Sequence, residues 1–255
     1  MLCVLGLNEQ GEKELLAMVP GYRESMESWA GVLRDLRDRG LKRPMVVIGD
    51  GALGIWAALR EVWSQTRSQR CWNHRTLNVL DKLPKRLWGQ VRQDLRQAVT
   101  ASTRSTCQER LEQIAASLRQ AGQGAAAETV LRDLDDFLTF YDFPQEHWLH
   151  LRTTNPIESI FAGVRLRTNV TKRLPNVDNA LYLVFKVVGR LSQHWRKVTG
   201  SNLCGLAPDP VGGRYWRGCA SWMARWLSAW PHSGDTLEGT PRPISTSFDK
   251  NSCHG

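Results

Sequence analysis

The spacing of apolar residues in the first part of the chain predicts alternating strands and helices. Leu2–Leu7 is a short apolar run before a turn, so residues 12–18 are predicted to return as the second strand of a hairpin. Apolar side chains recur at helical spacing from 26 to 36, which predicts a helix. The β-branched run Met45–Ile48 is typical of a strand buried on both faces, and residues 68–71 are predicted to form another short strand. This pattern indicates an α/β fold.

The middle of the chain has a helical pattern instead. From Asn73 to His150 the apolar spacing predicts three or four helices, interrupted at Pro84, at 102–105 and at 122–124. A mostly helical block of this size after α/β elements indicates an insertion or a second subdomain.

Two helices and a tail of different composition follow. The motif RTTNPIES opens a helix, and a last amphipathic helix is predicted from 178 to 198. Beyond Gly200 the chain is rich in Pro, Gly, Ser and Trp and has weak periodicity. We therefore do not expect this tail to fold with the rest.

The composition excludes several classes of protein. Apolar residues make up 42% and charged residues 23% of the 255 residues, which excludes a disordered chain, a collagen and a coiled coil. No apolar stretch approaches the roughly 18–20 residues of a membrane span, and the first residues do not form a secretory signal. We therefore expect a cytoplasmic protein whose six cysteines are reduced.

Positive charge is concentrated in one segment. The net charge is +9, and residues 150–200 hold nine basic and two acidic residues, a net +7. Concentrated positive charge is typical of proteins that bind nucleic acid, and a solvated basic surface is the alternative that charge alone leaves open.

Asp50 is the first candidate for chemistry. It lies just after the predicted strand, between two glycines, and sites in open α/β sheets lie at the carboxyl ends of strands. A carboxylate there is suited to a hard cation such as Mg²⁺. The same pattern fits an Asx turn or the N-cap of the next helix, and taken alone it favours that structural role.

Glu158 is the second candidate. Asn155 fits the N-cap position, Pro156 fits N1 and Glu158 falls at N3, a capping box that fully explains the acid. However, arginines flank Glu158, and Arg165 shares its helix face seven positions on. An acid in a basic groove is typical of a metal-dependent phosphodiester site, so both roles stay open.

Cys71 and His74 form a Cys-x₂-His pair with a spacing that suits zinc. Structural zinc requires four ligands, and the sequence offers no obvious second pair. A packed cysteine and a hydrogen-bonded histidine are therefore the favoured interpretation, and a zinc-binding module remains an alternative.

Five longer segments are specific enough to compare with known families. They are VVIGDGALGIWAALREVW, QRCWNHRTLNVLDKLP, FLTFYDFPQEHW, HLRTTNPIESIFAGVRLRT and VFKVVGRLSQHWRK. Their order and content, across roughly residues 1–200, resemble the mutator-type insertion-sequence transposases, a bacterial family with an Asp-Asp-Glu active site. The resemblance implies a ribonuclease-H-like catalytic core with a mostly α-helical insertion before the final Glu.

The resemblance also implies roles for single residues. By position, Asp50 corresponds to the second catalytic Asp and Glu158 to the catalytic Glu, both of them metal ligands, while Cys71 and His74 match a family signature to which we assign no role. The complete site would hold two Mg²⁺ or Mn²⁺ ions, and water or a DNA 3′-hydroxyl would attack a phosphodiester. The implied DNA-binding residues are Arg152, Arg165, Arg167, Lys172 and Arg173.

The resemblance implies DNA as a partner, both as transposon ends and as target. It also implies a second copy of the chain in a homo-oligomer and no membrane partner. The expected location is the cytoplasm, in association with the nucleoid.

The implied division of the chain has four parts. Residues 1–71 form part of the core, 72–150 the helical insertion, 151–199 the remaining core with the catalytic-Glu helix, and 200–255 a divergent, poorly ordered tail.

The front of the chain departs from the family pattern. In the family the first Asp lies on the first strand, before a stretch like LCVLGLNEQGEKELL, whereas Met1 begins here in what resembles the second strand. We therefore expect an N-terminally truncated transposase, without the first Asp and without strand cleavage. The alternative is an inactive DNA-binding remnant that competes with a full-length transposase.

Overall fold

The computed structural model describes residues 2–20, 25–51, 53–170, 177–204, 206–208, 215–217 and 222–226, and it has a mixed α/β, mostly helical fold. The strands are β1 (Leu2–Leu7), β2 (Lys13–Val19), β3 (Val46–Gly49), β4 (Arg67–Arg70), β5 (Leu206–Pro208), β6 (Tyr215–Arg217) and β7 (Trp222–Trp226). The helices are α1 (Met26–Asp38), α2 (Leu53–Val62), α3 (Trp72–Leu80), α4 (Trp88–Val99), α5 (Arg104–Gln120), α6 (Gly124–Leu131), α7 (Leu134–Leu138), α8 (Trp148–Leu151), α9 (Asn155–Val170) and α10 (Val177–Ser192).

Five strands form one mixed sheet in the order β2-β1-β7-β3-β4. β1 pairs antiparallel with both β2 and β7, while β3 pairs parallel with both β7 and β4. β5 and β6 form a separate antiparallel pair. The predicted hairpin and the predicted inner strand are confirmed, and the strand predicted at 68–71 begins one residue earlier.

The central position of β7 brings a late segment of the chain into the sheet. Trp222–Trp226 lies between β1 and β3, with Ala224 in register with Val4 on one side and with Gly49 on the other. Most other residues beyond Gly200 lie outside the described ones, so the expectation of a poorly ordered tail stays a prediction there.

Side-chain alternation along β1 distributes the core over two faces of the sheet. Leu2 and Val4 pack with α1 and α2 on one face, whereas Cys3 and Leu5 pack with α9 and α10 on the other. Val47 of β3 belongs to the first of these faces. β3 is fully buried, as its β-branched run predicts.

The helical block α3–α8 between β4 and α9 has a hydrophobic core of its own. Val46 and Ile48 of β3 belong to this core, so the block is packed against the sheet. Gln69 of β4 is completely buried; its side chain accepts from the Phe140 N–H at 2.7 Å and donates to the Phe137 carbonyl at 3.1 Å. None of the described helices is long and apolar enough to cross a lipid bilayer.

Candidate active site

Adjacent parallel strands bring Asp50 and Cys71 to the same edge of the sheet. Gly49, the last residue of β3, is in register with Arg70, the last residue of β4. The Cys71 N–H donates to the Gly49 carbonyl at 2.8 Å, which extends the pairing by one residue. Asp50 and Cys71 therefore begin the two segments that leave the carboxyl edge of the sheet, where sites in α/β folds lie.

Asp50 is not the N-cap of the following helix. α2 begins at Leu53, three residues after Asp50. The Asp50 carbonyl accepts a hydrogen bond from Trp56 Nε1 at 3.2 Å, which fixes the backbone of the loop against α2. Asp50 itself is half-buried.

Glu158 lies in the first turn of α9, but the cap differs from the predicted one. The Thr154 carbonyl accepts from the N–H groups of Ile157 and Glu158, each at 3.0 Å, so Thr154 is the N-cap and the prediction of Asn155 was wrong. The Asn155 side chain is engaged elsewhere, because its Oδ1 accepts from Asn73 Nδ2 at 2.6 Å. Thr154 Oγ1 lies 2.9 Å from Glu158 Oε1, so its hydroxyl orients the carboxylate.

Cys71, His74 and Glu158 converge on one another. One side-chain donor atom from each lies within 4.8 Å of the other two. His74 Nδ1 is 3.9 Å from Glu158 Oε1, and it is buried without a hydrogen-bond partner among the described residues. Cys71 Sγ accepts a hydrogen bond from the Thr154 N–H at 3.4 Å. The same sulfur lies 3.3 Å from Thr154 Oγ1. Thr154 therefore connects the thiol to the carboxylate.

The electrostatics of the cluster include Asp50. The pKa of His74 is raised above its ordinary value, first by its polar interaction with Cys71, and further by the negative charges of Asp50 and Glu158, while burial opposes the shift. Burial acts to raise the pKa of the Cys71 thiol, but polar contacts with His74 and Thr154 outweigh it, so this pKa is lowered. Asp50 and Glu158, 108 residues apart in sequence, thus both act on one imidazole.

Comparison with known proteins places the chain in a family. The family model described as Transposase, Mutator family, matches residues 1–198. The chain belongs to this family. It is 44% identical over 210 residues to the transposase for insertion sequence element IS6120 of Mycolicibacterium smegmatis, which covers 81% of this chain and 64% of the relative. It is 41% identical over 196 residues to the transposase for insertion sequence element IST2 of Acidithiobacillus ferrooxidans. These residues cover 76% of this chain and 66% of the relative.

More distant relatives show the same partial coverage. The transposase for ISRM5 of Rhizobium meliloti is 30% identical over 197 residues, which cover 76% of this chain and 49% of the relative. The chain thus spans about half to two thirds of the length of these curated relatives.

The predicted DNA-binding residues of this Mutator-family chain have different environments. Arg152 is turned inward: its guanidinium donates to the Val99 carbonyl at 2.8 Å and to the Trp148 carbonyl at 3.1 Å, and burial lowers its pKa. Arg165 and Arg167 are exposed on α9. Lys172 and Arg173 lie outside the described residues.

Thr154 is a residue of the candidate site that the sequence analysis missed in this Mutator-family chain. The signal was present, because a threonine in the motif RTTNPIES stands four positions before Glu158. Its hydroxyl contacts both Cys71 and Glu158, which belong to segments far apart in sequence.

Proposed function

We propose that this chain provides the phosphodiester-transfer centre of an insertion-sequence transposase, with Asp50 and Glu158 as the metal-holding carboxylates. The observation that supports this most is that Glu158 Oε1 lies 3.9 Å from His74 Nδ1, at the carboxyl edge of β3 and β4 that Asp50 follows directly. A mixed sheet with a helical block between β4 and α9 supports a ribonuclease-H-like core.

The donor set fits a hard divalent cation. Two carboxylates near one imidazole add negative potential there, and they contribute to the raised pKa of His74 after the larger effect of Cys71. When bound by Asp50 and Glu158, Mg²⁺ or Mn²⁺ would polarise a phosphoryl oxygen and support attack by water or a 3′-hydroxyl. The chain itself fixes the ligands, since β3 positions Asp50 and the Thr154 hydroxyl orients Glu158.

DNA is the substrate and partner under this proposal. The relatives are named as transposases of insertion sequence elements, and phosphodiester transfer on such elements requires a DNA backbone. Arg165 lies two helical turns from Glu158 on the same side of α9, about 10 Å along the axis, where it would contact a phosphate near the scissile one.

Binding of Mn²⁺ to the purified chain tests the site directly. We expect Asp50→Asn and Glu158→Gln each to weaken Mn²⁺ affinity by at least about tenfold, because each removes a charged oxygen ligand from a hard-cation site. Electron paramagnetic resonance of free Mn²⁺ in a titration measures the affinity.

The matched control is Glu112→Gln. Glu112 is an exposed carboxylate on α5 that accepts from Gln108, so its neutralisation removes the same charge away from the cluster. If Glu112→Gln weakens Mn²⁺ binding as much as Asp50→Asn does, the binding is only a response to net charge and the assignment fails.

A non-catalytic DNA-binding role is the second candidate, and one observation favours it. β7, the strand next to β3 in the centre of the sheet, has the sequence WMARW and contains no acidic residue. The family resemblance implies a third carboxylate on a strand of the core, and β7 does not supply it.

Nicking of supercoiled plasmid separates the two candidates. With Mg²⁺ or Mn²⁺ we expect no nicking by the 255-residue chain, because the proposal assigns only two of the three implied carboxylates, Asp50 and Glu158. Agarose gels after prolonged incubation measure it. Nicking that disappears in Glu158→Gln would contradict this expectation and show that another acid completes the site.

A further inference from the structure

Three side chains of the cluster form a donor set that differs chemically from a pair of carboxylates. Cys71 offers sulfur, His74 offers nitrogen and Glu158 offers oxygen. Thiolate and imidazole ligands select zinc and related transition metals, whereas Mg²⁺ takes oxygen ligands. The cluster therefore favours a borderline-soft ion over a hard one.

The distances are close to those of a zinc site. Zinc bonds of about 2.0–2.3 Å in a tetrahedron place ligand atoms about 3.3–3.8 Å apart. His74 Nδ1 and Glu158 Oε1 are already 3.9 Å apart, and all three donor atoms lie within 4.8 Å of one another. Closing around an ion therefore requires these separations to shorten by at most about 1.5 Å.

Neighbouring residues hold the proposed ligand atoms in place, and two of the three side chains can be reached from solvent. The Cys71 thiol is fixed by Thr154, and His74 Nδ1 is buried without a hydrogen-bond partner among the described residues, as expected of a nitrogen that faces a ligand. The side chains of His74 and Glu158 are 26% and 31% exposed, so an ion can enter from solvent.

We propose that Cys71, His74 and Glu158 bind one zinc-type ion, with solvent or a DNA oxygen in the fourth position. Three protein ligands and one open position are the arrangement of exchangeable zinc sites rather than structural ones. Glu158 is also a ligand of the proposed Mg²⁺ site, so bound zinc removes this carboxylate from that site and inhibits phosphodiester transfer. Only this consequence rests on the proposed function.

Cobalt spectroscopy tests the site without any activity assay. Co²⁺, which replaces zinc, should give the wild-type chain a near-ultraviolet thiolate-to-cobalt charge-transfer band. Cys71→Ser should abolish this band and weaken Zn²⁺ binding, measured by competition with Co²⁺ or a chelator, by more than about 100-fold, since even outer-shell losses cost about 10–100-fold. Serine keeps a hydrogen-bonding partner for Thr154, and circular dichroism confirms that the variant is folded.

Cys204→Ser is the matched control. Cys204 also lies beside a histidine, with its Sγ 3.8 Å from His147 Nε2, but it is not part of a three-ligand cluster among the described residues. The band should be unchanged in this variant. Absence of the band in the wild type at saturating Co²⁺, or its persistence in Cys71→Ser, would overturn the proposal.

Two variants separate this inference from the proposed function. Asp50→Asn should lose Mn²⁺ but keep the cobalt band, and Cys71→Ser should lose the band but keep Mn²⁺. Saturating Zn²⁺ should weaken Mn²⁺ binding in the wild type at least tenfold more than in Cys71→Ser. An equal effect of zinc in both proteins would contradict a shared Glu158.

Discussion

Replacing Arg165 and Arg167 together by glutamine should weaken DNA binding and flatten its dependence on salt. Both side chains are exposed on α9, in the segment that carries most of the net charge. Each lost phosphate contact lowers the salt slope by about 0.9, so two contacts predict a change of about one to two units. At 0.1 M salt the same contacts correspond to a loss of roughly 10- to 60-fold in affinity. Fluorescence anisotropy at several salt concentrations measures both quantities.

The control for this prediction removes two charges from the helical insertion. Arg110 and Arg119 lie on α5, where Glu109 and Glu112 offset the positive field, and Arg110 donates to the Gln97 carbonyl. Replacing Arg110 and Arg119 together by glutamine should change the salt slope of DNA binding less than replacing Arg165 and Arg167 does. If the slope is the same in the wild type and in the Arg165/Arg167 variant, α9 does not contact phosphates.

Arg75→Met should lower the free energy of unfolding by about 3 kcal/mol. Arg75 on α3 is buried, and its guanidinium donates to the carbonyls of Thr129 and Arg132 at the end of α6, the second at 2.7 Å. It also lies 3.8 Å from the centre of the Phe137 ring. A cation there satisfies helix-terminal carbonyls, which methionine leaves unpaired in the core. Urea denaturation measures the difference.

Arg96→Met is the comparison for this effect. Arg96 is exposed on α4, so the same substitution changes surface charge without disturbing buried carbonyls. It should alter the unfolding free energy by less than about 0.5 kcal/mol. Similar losses in both variants would mean that Arg75 contributes no more than an ordinary surface arginine.

Elements determined by local sequence could be predicted well. β3 follows from consecutive β-branched residues, and α9 follows from a buried face of four apolar residues at helical spacing. The cap of α9 could not be predicted to the residue, because Thr154 and Asn155 are both good capping residues. A tertiary contact decides between them, since Asn73 engages the Asn155 side chain.

The composition of the site depended on contacts that periodicity does not encode. Glu158 lies beside Cys71 and His74 because the start of α3 is fixed to the segment that leads from α8 into α9. The Trp72 N–H donates to the Arg152 carbonyl there at 2.9 Å. The net charge of residues 150–200 likewise counted Arg152 as a surface residue that could bind DNA. Its side chain instead joins α4 to α8, which a net charge cannot reveal.

The position of β7 has a consequence for how the chain is made. β1 and β3 emerge early from the ribosome, but the strand that lies between them ends at Trp226, more than 200 residues after β1. At about 5–20 residues per second, the β1 edge waits roughly 10–40 s for its partner. During that time the hairpin and the β3–β4 pair each present an unpaired inner edge, which is a template for aggregation. Because α1 and α2 cover a face of the sheet and not these edges, we expect the nascent chain to need a chaperone until synthesis passes residue 226.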